Sequence, residues 1–442
     1  MGVKMAYSLK VNYGNNEIGL LIQDQDSGLL KLVYNESWQQ NGFAISPALP
    51  LNNNHSQASA YNFLDNSLPE GEARKLLALN LGTSEKNVYL QVRALGKDLS
   101  GAFSFSDKTS TESEQAEFRL ITENELSERL EKKEELGLLF WDEKPRLSVA
   151  GVQDKLNVFI NPQGQIGFGD GSLCSTHILK FEKRNCQHLV LNEFFCMQLS
   201  KSVDLPTANV TFRRFGVHPS LIVTRFDRKF EAASQRVMRR HVIDGCQSLN
   251  LPRDYKYERN LGDGRDVQHI RDGASLEKLF SFCRQTSAPI ENMQQLINWQ
   301  LFNLMINNYD SHGKNVSFYY GKDKSLFTPA YDLVNVSMFD QFKHVLAMAM
   351  GDEFDPEDIH AYQLADFAET CVLDKKLVSR MLMSLGKKVL EQLKNKTIIS
   401  ELQKAQCINK NELEYLNALA INIELRTRYV LKQTDEMCTI SV

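Results

Sequence analysis

The eight cysteines of this 442-residue chain form no Cys-x-x-Cys pair and are scattered from Cys174 to Cys438. This scatter argues against a disulfide framework and against a zinc site, and it suits a reducing compartment. No apolar run approaches the ~20 residues of a membrane helix, and the N-terminus lacks the apolar core of a signal peptide. We therefore expect a cytoplasmic protein with no membrane contact.

Neither sign of charge dominates, because 51 basic residues face 55 acidic ones. A chain with this balance is no polycation, so contact with nucleic acid must come from a local patch or from a partner. A solvated face is the favoured interpretation of both candidate basic patches. These patches are Arg236, Arg239 and Arg240, and Lys375, Lys376 and Arg380.

Residues 1–105 are predicted to form a small α/β unit. Two apolar runs flank residues 12–16, which favours a hairpin, and residues 58–81 are helical apart from a break at Pro69. The segment from Gly96 to Gly101 is interpreted as a turn rather than as a phosphate site, since a strand and not a helix follows it. Residues 106–145 are strongly charged and are interpreted as a linker or a solvated helix.

Residues 146–230 show a different pattern, in which a loop of small residues at 148–155 precedes an apolar strand. Small residues let backbone amides approach a phosphate, and Lys155 adds charge, although the loop has no Walker A signature. The strand at 176–181 carries Lys180, and the next helix carries Glu193. Taken alone, Lys180 is better explained as an edge-strand lysine, but the same order is that of the kinase Lys–Glu pair.

Two further strands follow, and the order of elements is then that of a kinase N-lobe, with residues 224–227 as the hinge that faces adenine. Beyond residue 240 the pattern is mostly helical and leads to Asp310. Asn315 follows Asp310 at the spacing of the kinase catalytic loop, and Asp332 follows a predicted hairpin. The His-Arg-Asp and Asp-Phe-Gly signatures of protein kinases are missing. A kinase needs one carboxylate for the hydroxyl proton, and an amide and a second carboxylate for magnesium.

We therefore predict an α+β, protein-kinase-like fold of two lobes with an added N-terminal α/β subdomain. The predicted parts are the subdomain (1–105), a charged linker with helices (106–145), an N-lobe-like region with the phosphate loop (146–230) and a mostly helical C-lobe (231–442).

Several separated motifs together resemble the HipA family of toxin kinases, in the right order and over nearly the whole chain. The N-terminal unit adds two similar segments, at residues 63–71 and 95–102. The other motifs are Arg146–Lys155, Thr176–Lys180, Arg225–Arg228, Asp310–Asn315 and Thr328–Asp332.

The resemblance implies an ATP-dependent, magnesium-dependent serine/threonine-protein kinase with Asp310 as its catalytic base. Asn315 and Asp332 would hold Mg²⁺, Glu193 would pair with the phosphate-binding Lys180, and Ser148 would be an autophosphorylated serine. Phosphate on Ser148 would expel the loop from the nucleotide site, while the hydroxyl could also stabilise a turn. The implied ATP-binding residues are Ala150, Gly151, Val152, Gln153, Asp154, Lys155, Lys180, Thr224, Arg225, Phe226, His312, Gly313, Lys314, Asn315, Tyr331 and Asp332.

The resemblance also implies partners. A dimeric helix-turn-helix antitoxin would bind the chain and operator DNA, so that the toxin contacts DNA mainly through it and represses the operon. The expected substrate is an aminoacyl-tRNA synthetase, glutamyl-tRNA synthetase by resemblance, whose loss arrests growth. The hinge carries Thr224 where relatives usually have Glu, and Ser311 and Gly313 replace Gly and Ala, but no group that catalysis needs is lost.

Two other functions stay open from the sequence. One is a non-catalytic co-repressor that acts through a DNA-bound antitoxin, although intact Lys180, Asp310, Asn315 and Asp332 argue against a dead kinase. The other is a small-molecule or lipid kinase with the same lobes, against which only the resemblance of the N-terminal unit argues.

Overall fold

The computed structural model describes residues 7–107, 115–146, 153–183, 185–322 and 324–442. Residues 148–152 of the predicted phosphate loop, which include Ser148, Ala150, Gly151 and Val152, lie outside these ranges.

The N-terminal subdomain is an antiparallel sheet covered by short helices. Leu9 and Val11 alternate with more exposed residues along the first strand, as expected for a sheet with one buried face. The sheet has the order β3-β2-β1-β4, and the predicted hairpin, third strand and interrupted helix are confirmed. The strands are β1 (Tyr7–Tyr13), β2 (Asn16–Gln23), β3 (Leu30–Tyr34) and β4 (Phe103–Asp107). The helices are α1 (Glu36–Asn41), α2 (Gln57–Ser67), α3 (Gly71–Asn80) and α4 (Val88–Leu95).

The N-lobe is built on a six-stranded antiparallel sheet. Its strands are β5 (Glu117–Leu120), β8 (Lys155–Ile160), β9 (Ile166–Asp170), β10 (His177–Phe181), β11 (Val210–Phe215) and β12 (His218–Thr224), and the short pair β6 (Phe140–Trp141) and β7 (Lys144–Pro145) lies beside it. Its helices are α5 (Glu123–Glu131), α6 (Lys133–Leu136) and α7 (Leu189–Ser202).

The strand order is β11-β12-β10-β8-β9-β5, which places β10 in the interior of the sheet. Lys180 on β10 is therefore not an edge-strand residue, and that interpretation of it is wrong.

The charged segment at 106–145 is also more than a linker. Its strand β5 forms the edge of the sheet against β9, with Phe118 opposite Gly169. Leu126 and Leu130 of α5 are buried in the same cluster as Leu156 and Phe168. The prediction failed because the acidic residues of α5 lie on its outer face and hid the apolar stripe beneath them.

The C-lobe is mostly helical, as predicted. The chain enters it through β13 (Arg228–Glu231), β14 (Arg236–Arg239), β15 (Val242–Asp244) and α8 (Gly245–Ser248). Its core helices are α9 (Leu276–Gln285), α10 (Pro289–Met305), α11 (Ala361–Thr370), α12 (Lys375–Asn395), α13 (Thr397–Lys404), α14 (Lys410–Lys432) and α15 (Thr434–Met437). The predicted hairpin between Asn315 and Asp332 is confirmed as β16 (Ser317–Tyr319) and β17 (Leu326–Phe327).

Helix α10 leads into the predicted catalytic loop. Ile297, Leu301 and Met305 are fully buried on it, so its end has a fixed place in the C-lobe. Asn307 then takes a left-handed backbone conformation, which turns the chain out of the helix.

The N-terminal subdomain packs on the side of the two lobes where the predicted hinge lies. The backbone N–H of Gly101 donates to Asp227 Oδ2 (2.9 Å), and Arg228 donates to the carbonyls of Gly101 and Leu99. The Gly96–Gly101 segment is thus a turn held by the hinge, in agreement with its interpretation from sequence.

Among the helices of the described ranges, none has the length and apolar composition that crossing a membrane requires.

Candidate active site

Lys180 lies at the centre of the site with its ammonium between two carboxylates. It donates to Glu193 Oε1 at 2.5 Å and forms an ion pair with Asp332. Burial alone would lower the pKa of Lys180, but Asp332 and Glu193 outweigh it and raise the pKa. The lysine therefore keeps its charge in the interior of the protein.

Glu193 is buried on α7 and faces this lysine. Burial raises the pKa of its carboxyl even though the Lys180 ammonium counteracts the shift. Its Oε2 atom has no hydrogen-bond partner within the described residues.

Lys155 lies beside Lys180 on the neighbouring strand, where the two residues are directly paired in register. Burial lowers the pKa of Lys155 to about 8, and the like charge of Lys180 adds to this shift while Asp332 opposes it. The two buried lysines therefore lie beside the carboxylates of Glu193 and Asp332, and a bound phosphate would compete with Asp332 for their charge.

Asp332 supplies that carboxylate from the loop after β17. Its backbone is left-handed, and its carbonyl accepts a hydrogen bond from Asn308 Nδ2 (3.3 Å). Burial would raise its pKa, but Lys180 and Lys155 outweigh burial and lower it. Its side chain keeps 36% of its area exposed, so an ionised oxygen donor faces the cleft.

The catalytic loop is closed by hydrogen bonds between its own residues. Asn315 Nδ2 donates to the Asp310 carbonyl (2.9 Å), and the His312 N–H donates to the same oxygen (2.8 Å). The Asp310 side chain is exposed and accepts a hydrogen bond from the Tyr257 hydroxyl at 2.8 Å. This hydrogen bond uses the side-chain nitrogen of Asn315. Its side-chain oxygen, Oδ1, therefore points away from Asp310 and is available as a metal ligand.

His312 is buried next to this loop. Burial lowers its pKa, which keeps the imidazole neutral, and its Nδ1 has no hydrogen-bond partner in the described part of the chain. The Tyr257 ring packs edge-on against it, with 5.2 Å between ring centroids.

Lys314 and Gly313 make structural contacts in this conformation. Lys314 Nζ donates to the Asn66 carbonyl (2.6 Å) and to Asp244 Oδ2 (3.0 Å), so its charge serves the interface with the N-terminal subdomain. A Cβ atom on Gly313 would lie 2.5 Å from the Ala274 Cβ, which explains glycine at this position.

Tyr331 is held by Ser317 and by the Lys314 carbonyl (2.8 Å). Its ring lies 5.6 Å from that of Phe226 in the hinge, and the two form an apolar wall.

The hinge is fixed from both sides. The Thr224 N–H donates to the Asn209 carbonyl (2.8 Å), and the Phe226 carbonyl accepts from the Tyr319 hydroxyl (3.2 Å). The Arg225 guanidinium is buried against Asp227 and Ser175, so this side chain anchors the hinge and does not face the cleft.

The described end of the phosphate loop is attached to the sheet. Gln153 Nε2 donates to the Phe181 carbonyl (3.2 Å), and Asp154 pairs with Lys133 at 2.8 Å. These contacts place the loop's end over β10, next to the two lysines.

The donor set suits a phosphate-bound magnesium ion. Asp332 and Asn315 offer a carboxylate and an amide oxygen, the ligands that Mg²⁺ takes when phosphates and water complete its octahedron. Across the described residues no three His, Cys, Asp or Glu side chains converge on a protein-only metal site. The arrangement therefore fits a metal that arrives with a nucleotide.

Sequence reasoning missed Tyr257, which contacts Asp310, and Asn308, which holds Asp332. Asn308 is buried and also donates to Asn303 Oδ1 (2.8 Å). Tyr257 lies in a polar loop more than 50 residues before Asp310, so no local pattern links the two.

Two family models match the chain. One, described as the HipA N-terminal domain, covers residues 9–106, and the other, described as the HipA-like C-terminal domain, covers residues 147–393.

Known proteins agree with this match. A serine/threonine-protein kinase toxin HipA of Shewanella oneidensis is 41% identical over 88% of this chain and 89% of its own length. A putative kinase of Sinorhizobium fredii, Y4mE, is 28% identical over 85% of this chain and 89% of its own length. The solved complex of HipA, HipB and operator DNA from Shewanella oneidensis MR-1 contains a chain with a TM-score of 0.89 and 38% identity, covering 98% of this chain and 100% of that one.

Proposed function

Because the chain belongs to the HipA family and is a serine/threonine-protein kinase, we propose that it arrests growth by phosphorylating a serine of an aminoacyl-tRNA synthetase. Glutamyl-tRNA synthetase is the expected acceptor. The observation that carries the proposal is that Lys180 pairs with both Glu193 and Asp332, while Asn315 closes the loop that holds Asp310.

In the proposed reaction Asp310 accepts the proton of the acceptor serine hydroxyl. The serine oxygen forms a bond to the γ-phosphorus of ATP, and the bond from that phosphorus to the β,γ-bridging oxygen breaks, so ADP leaves with the electron pair. Lys180 and Lys155 offset the phosphate charge from within the sheet, where a low dielectric strengthens their effect. Magnesium, held by Asn315 and Asp332, would neutralise further phosphate charge.

The adenine would lie against the backbone of the hinge, beside the apolar wall that the rings of Phe226 and Tyr331 form. Thr224, Arg225 and Phe226 would take part through the backbone, since the Arg225 side chain is committed to Asp227. His312 is neutral and buried, which suits a contact with the nucleotide but not general-base chemistry.

Autophosphorylation of Ser148 would regulate the same site. A phosphoserine adds nearly two negative charges in a loop that continues into Lys155, where the nucleotide phosphates would lie. The phosphate on Ser148 and the phosphates of the nucleotide would compete for the charge of Lys155 and Lys180. Because the two repel each other, the loop would leave the cleft.

The proposed partner is a HipB-like, dimeric helix-turn-helix antitoxin bound to operator DNA. The relative of known structure was solved in complex with HipB and operator DNA, and similarity over 98% of this chain supports an equivalent assembly. In this assembly the antitoxin carries the main DNA contacts, in keeping with the balanced charge of the chain.

The test is phosphate transfer from labelled ATP to purified glutamyl-tRNA synthetase, followed by a tRNA-charging assay. We expect labelling and loss of charging with the wild type and neither with Asp310→Ala. If other synthetases are labelled and this one is not, the kinase assignment stands and the substrate is corrected. If small molecules alone accept phosphate, the protein-kinase proposal fails.

A non-catalytic co-repressor is the second candidate, and the operator complex of the relative is the observation that favours it. Operator binding by the Asp310→Ala variant together with the antitoxin separates the two roles. Repression that survives this substitution would show that co-repression does not need catalysis.

A further inference from the structure

The Tyr257 hydroxyl donates a hydrogen bond to Asp310 Oδ1 at 2.8 Å. Within the described residues no other side chain donates to this carboxylate, which otherwise extends exposed from its loop. Partial burial and the nearby Asp310 carboxylate raise the pKa of Tyr257, so the phenol stays protonated and remains a donor. The second oxygen, Oδ2, is left for another partner.

The two neighbours of Tyr257 are both anchored. Lys256 Nζ donates to Glu70 Oε2 of the N-terminal subdomain (2.8 Å), and the Lys256 carbonyl accepts the Gly313 N–H of the catalytic loop (2.9 Å). On the other side, Glu258 is buried and accepts hydrogen bonds from Arg271 (2.7 Å) and from the Ala349 N–H (2.8 Å).

These contacts fix the backbone on both sides of Tyr257, which is itself 38% exposed. Residues 256–258 connect the N-terminal subdomain, the catalytic loop and the C-lobe, and the Tyr257 ring also packs on buried His312. A donor on an anchored backbone, with its ring against His312, can restrict the rotamers of an exposed aspartate.

We propose that Tyr257 is a positioning residue of the phosphotransfer reaction, which acts by holding the Asp310 carboxylate so that Oδ2 faces the acceptor hydroxyl. This role rests on the proposed function, because it requires Asp310 to be the base. It also gives the N-terminal subdomain a part in catalysis, since Glu70 holds Lys256 next to Tyr257.

An inhibitory role of the Tyr257 hydroxyl would give the opposite result. If the Tyr257 hydroxyl occupied the place of the acceptor hydroxyl, it would block the base, and its removal would raise activity. A positioning residue lowers the turnover number when it is removed and leaves nucleotide binding unchanged.

The experiment compares Tyr257→Phe with wild type, using kcat and the KM for ATP in phosphate transfer. One hydrogen bond to a charged group corresponds to about a tenfold or larger effect on rate. We therefore expect kcat to fall about tenfold at unchanged KM for ATP and unchanged melting temperature. Tyr255→Phe is the matched control, because the Tyr255 hydroxyl makes no hydrogen bond within the described residues, and it should keep the wild-type kcat.

Urea unfolding distinguishes positioning from a general structural effect. The unfolding midpoint of Tyr257→Phe should equal that of wild type, whereas a structural effect would lower it together with kcat. If the wild type is active and Tyr257→Phe has an equal or higher kcat, the role of Tyr257 is overturned and the proposed function stands. A wild type without any transfer would overturn the proposed function and this role with it.

Discussion

Lys180 and Asp332 form an ion pair although they are 152 positions apart in the chain. Lys180 comes from an interior strand of the N-lobe, and Asp332 comes from the loop after the last C-lobe hairpin. The contact therefore joins the two lobes across the cleft. In the proposed reaction the nucleotide phosphates would take over the charge of Lys180 and release Asp332 for magnesium.

Replacing Lys180 should damage both binding and folding. Lys180→Met removes the ammonium that offsets the phosphates and leaves Glu193 buried without a cation. Breaking a buried pair in this way costs about 3 kcal/mol. We expect an unfolding free energy lower by that amount in urea titrations, and ATP binding too weak to measure by calorimetry.

Lys201→Met is the control for this variant, because Lys201 lies on α7 but is exposed and its ammonium donates a hydrogen bond to Asn209 at the surface. Its unfolding free energy should stay within about 0.5 kcal/mol of wild type. Equal ATP affinity in Lys180→Met and wild type would contradict the role of Lys180.

Lys155 predicts a pH dependence of nucleotide affinity. Its pKa of about 8 lies below the usual value for lysine, and a bound phosphate would favour the charged form. As the pH rises from 7 to 9 the free protein loses this proton, and binding must then restore it. ATP affinity should therefore fall about tenfold over this range, measured by calorimetry at constant Mg²⁺.

Lys155→Met is the comparison, because it has no charge to lose. Its affinity should be weak and nearly constant between pH 7 and 9, while that of wild type falls toward it. Parallel curves for the two proteins would show that Lys155 does not contact the nucleotide.

Glu70 predicts a loss of stability in acid. Burial would raise its pKa, but Lys314 and Lys256 outweigh burial and lower it to about 2. A carboxyl whose pKa is lower in the folded state stabilises the protein above pH 4.5, and the contribution disappears as the pH falls toward 2. The shift corresponds to about 3 kcal/mol.

Urea unfolding of wild type and Glu70→Gln at pH 7 and at pH 3 tests this contribution. The difference between the two proteins should be large at pH 7 and much smaller at pH 3. Glu72→Gln changes a nearby exposed carboxylate and should match wild type at both values. A pH-independent difference for Glu70→Gln would rule out the ion pairs as its cause.

The sequence was sufficient to predict the order of the secondary-structure elements and the shared loop of Asp310 and Asn315. Asp310 and Asn315 are five positions apart, so their spacing alone predicts a shared loop, and the Asn315–Asp310 hydrogen bond agrees with it. The hairpin before Asp332 was also predictable, since two apolar runs flank a polar turn.

Pairings between distant segments were not predictable in the same way. The interior position of Lys180 depends on β12 and β8 lying on either side of it, and a single strand pattern does not contain that information. The same limit applies to Lys314, whose charge is neutralised by Asp244, 70 positions away, and to Tyr257 beside Asp310. The edge strand β5 was missed because its hydrogen-bonded partner, β9, is distant in the sequence.

The central claim is that Asp310 catalyses phosphate transfer in the cleft that Lys180 and Asp332 form. The most direct test is mass spectrometry of the purified protein after incubation with Mg-ATP, for wild type and for Asp310→Ala. The account predicts phosphate on Ser148 in the wild type and none in the variant. Phosphate on Ser148 in both proteins, or in neither, would contradict it.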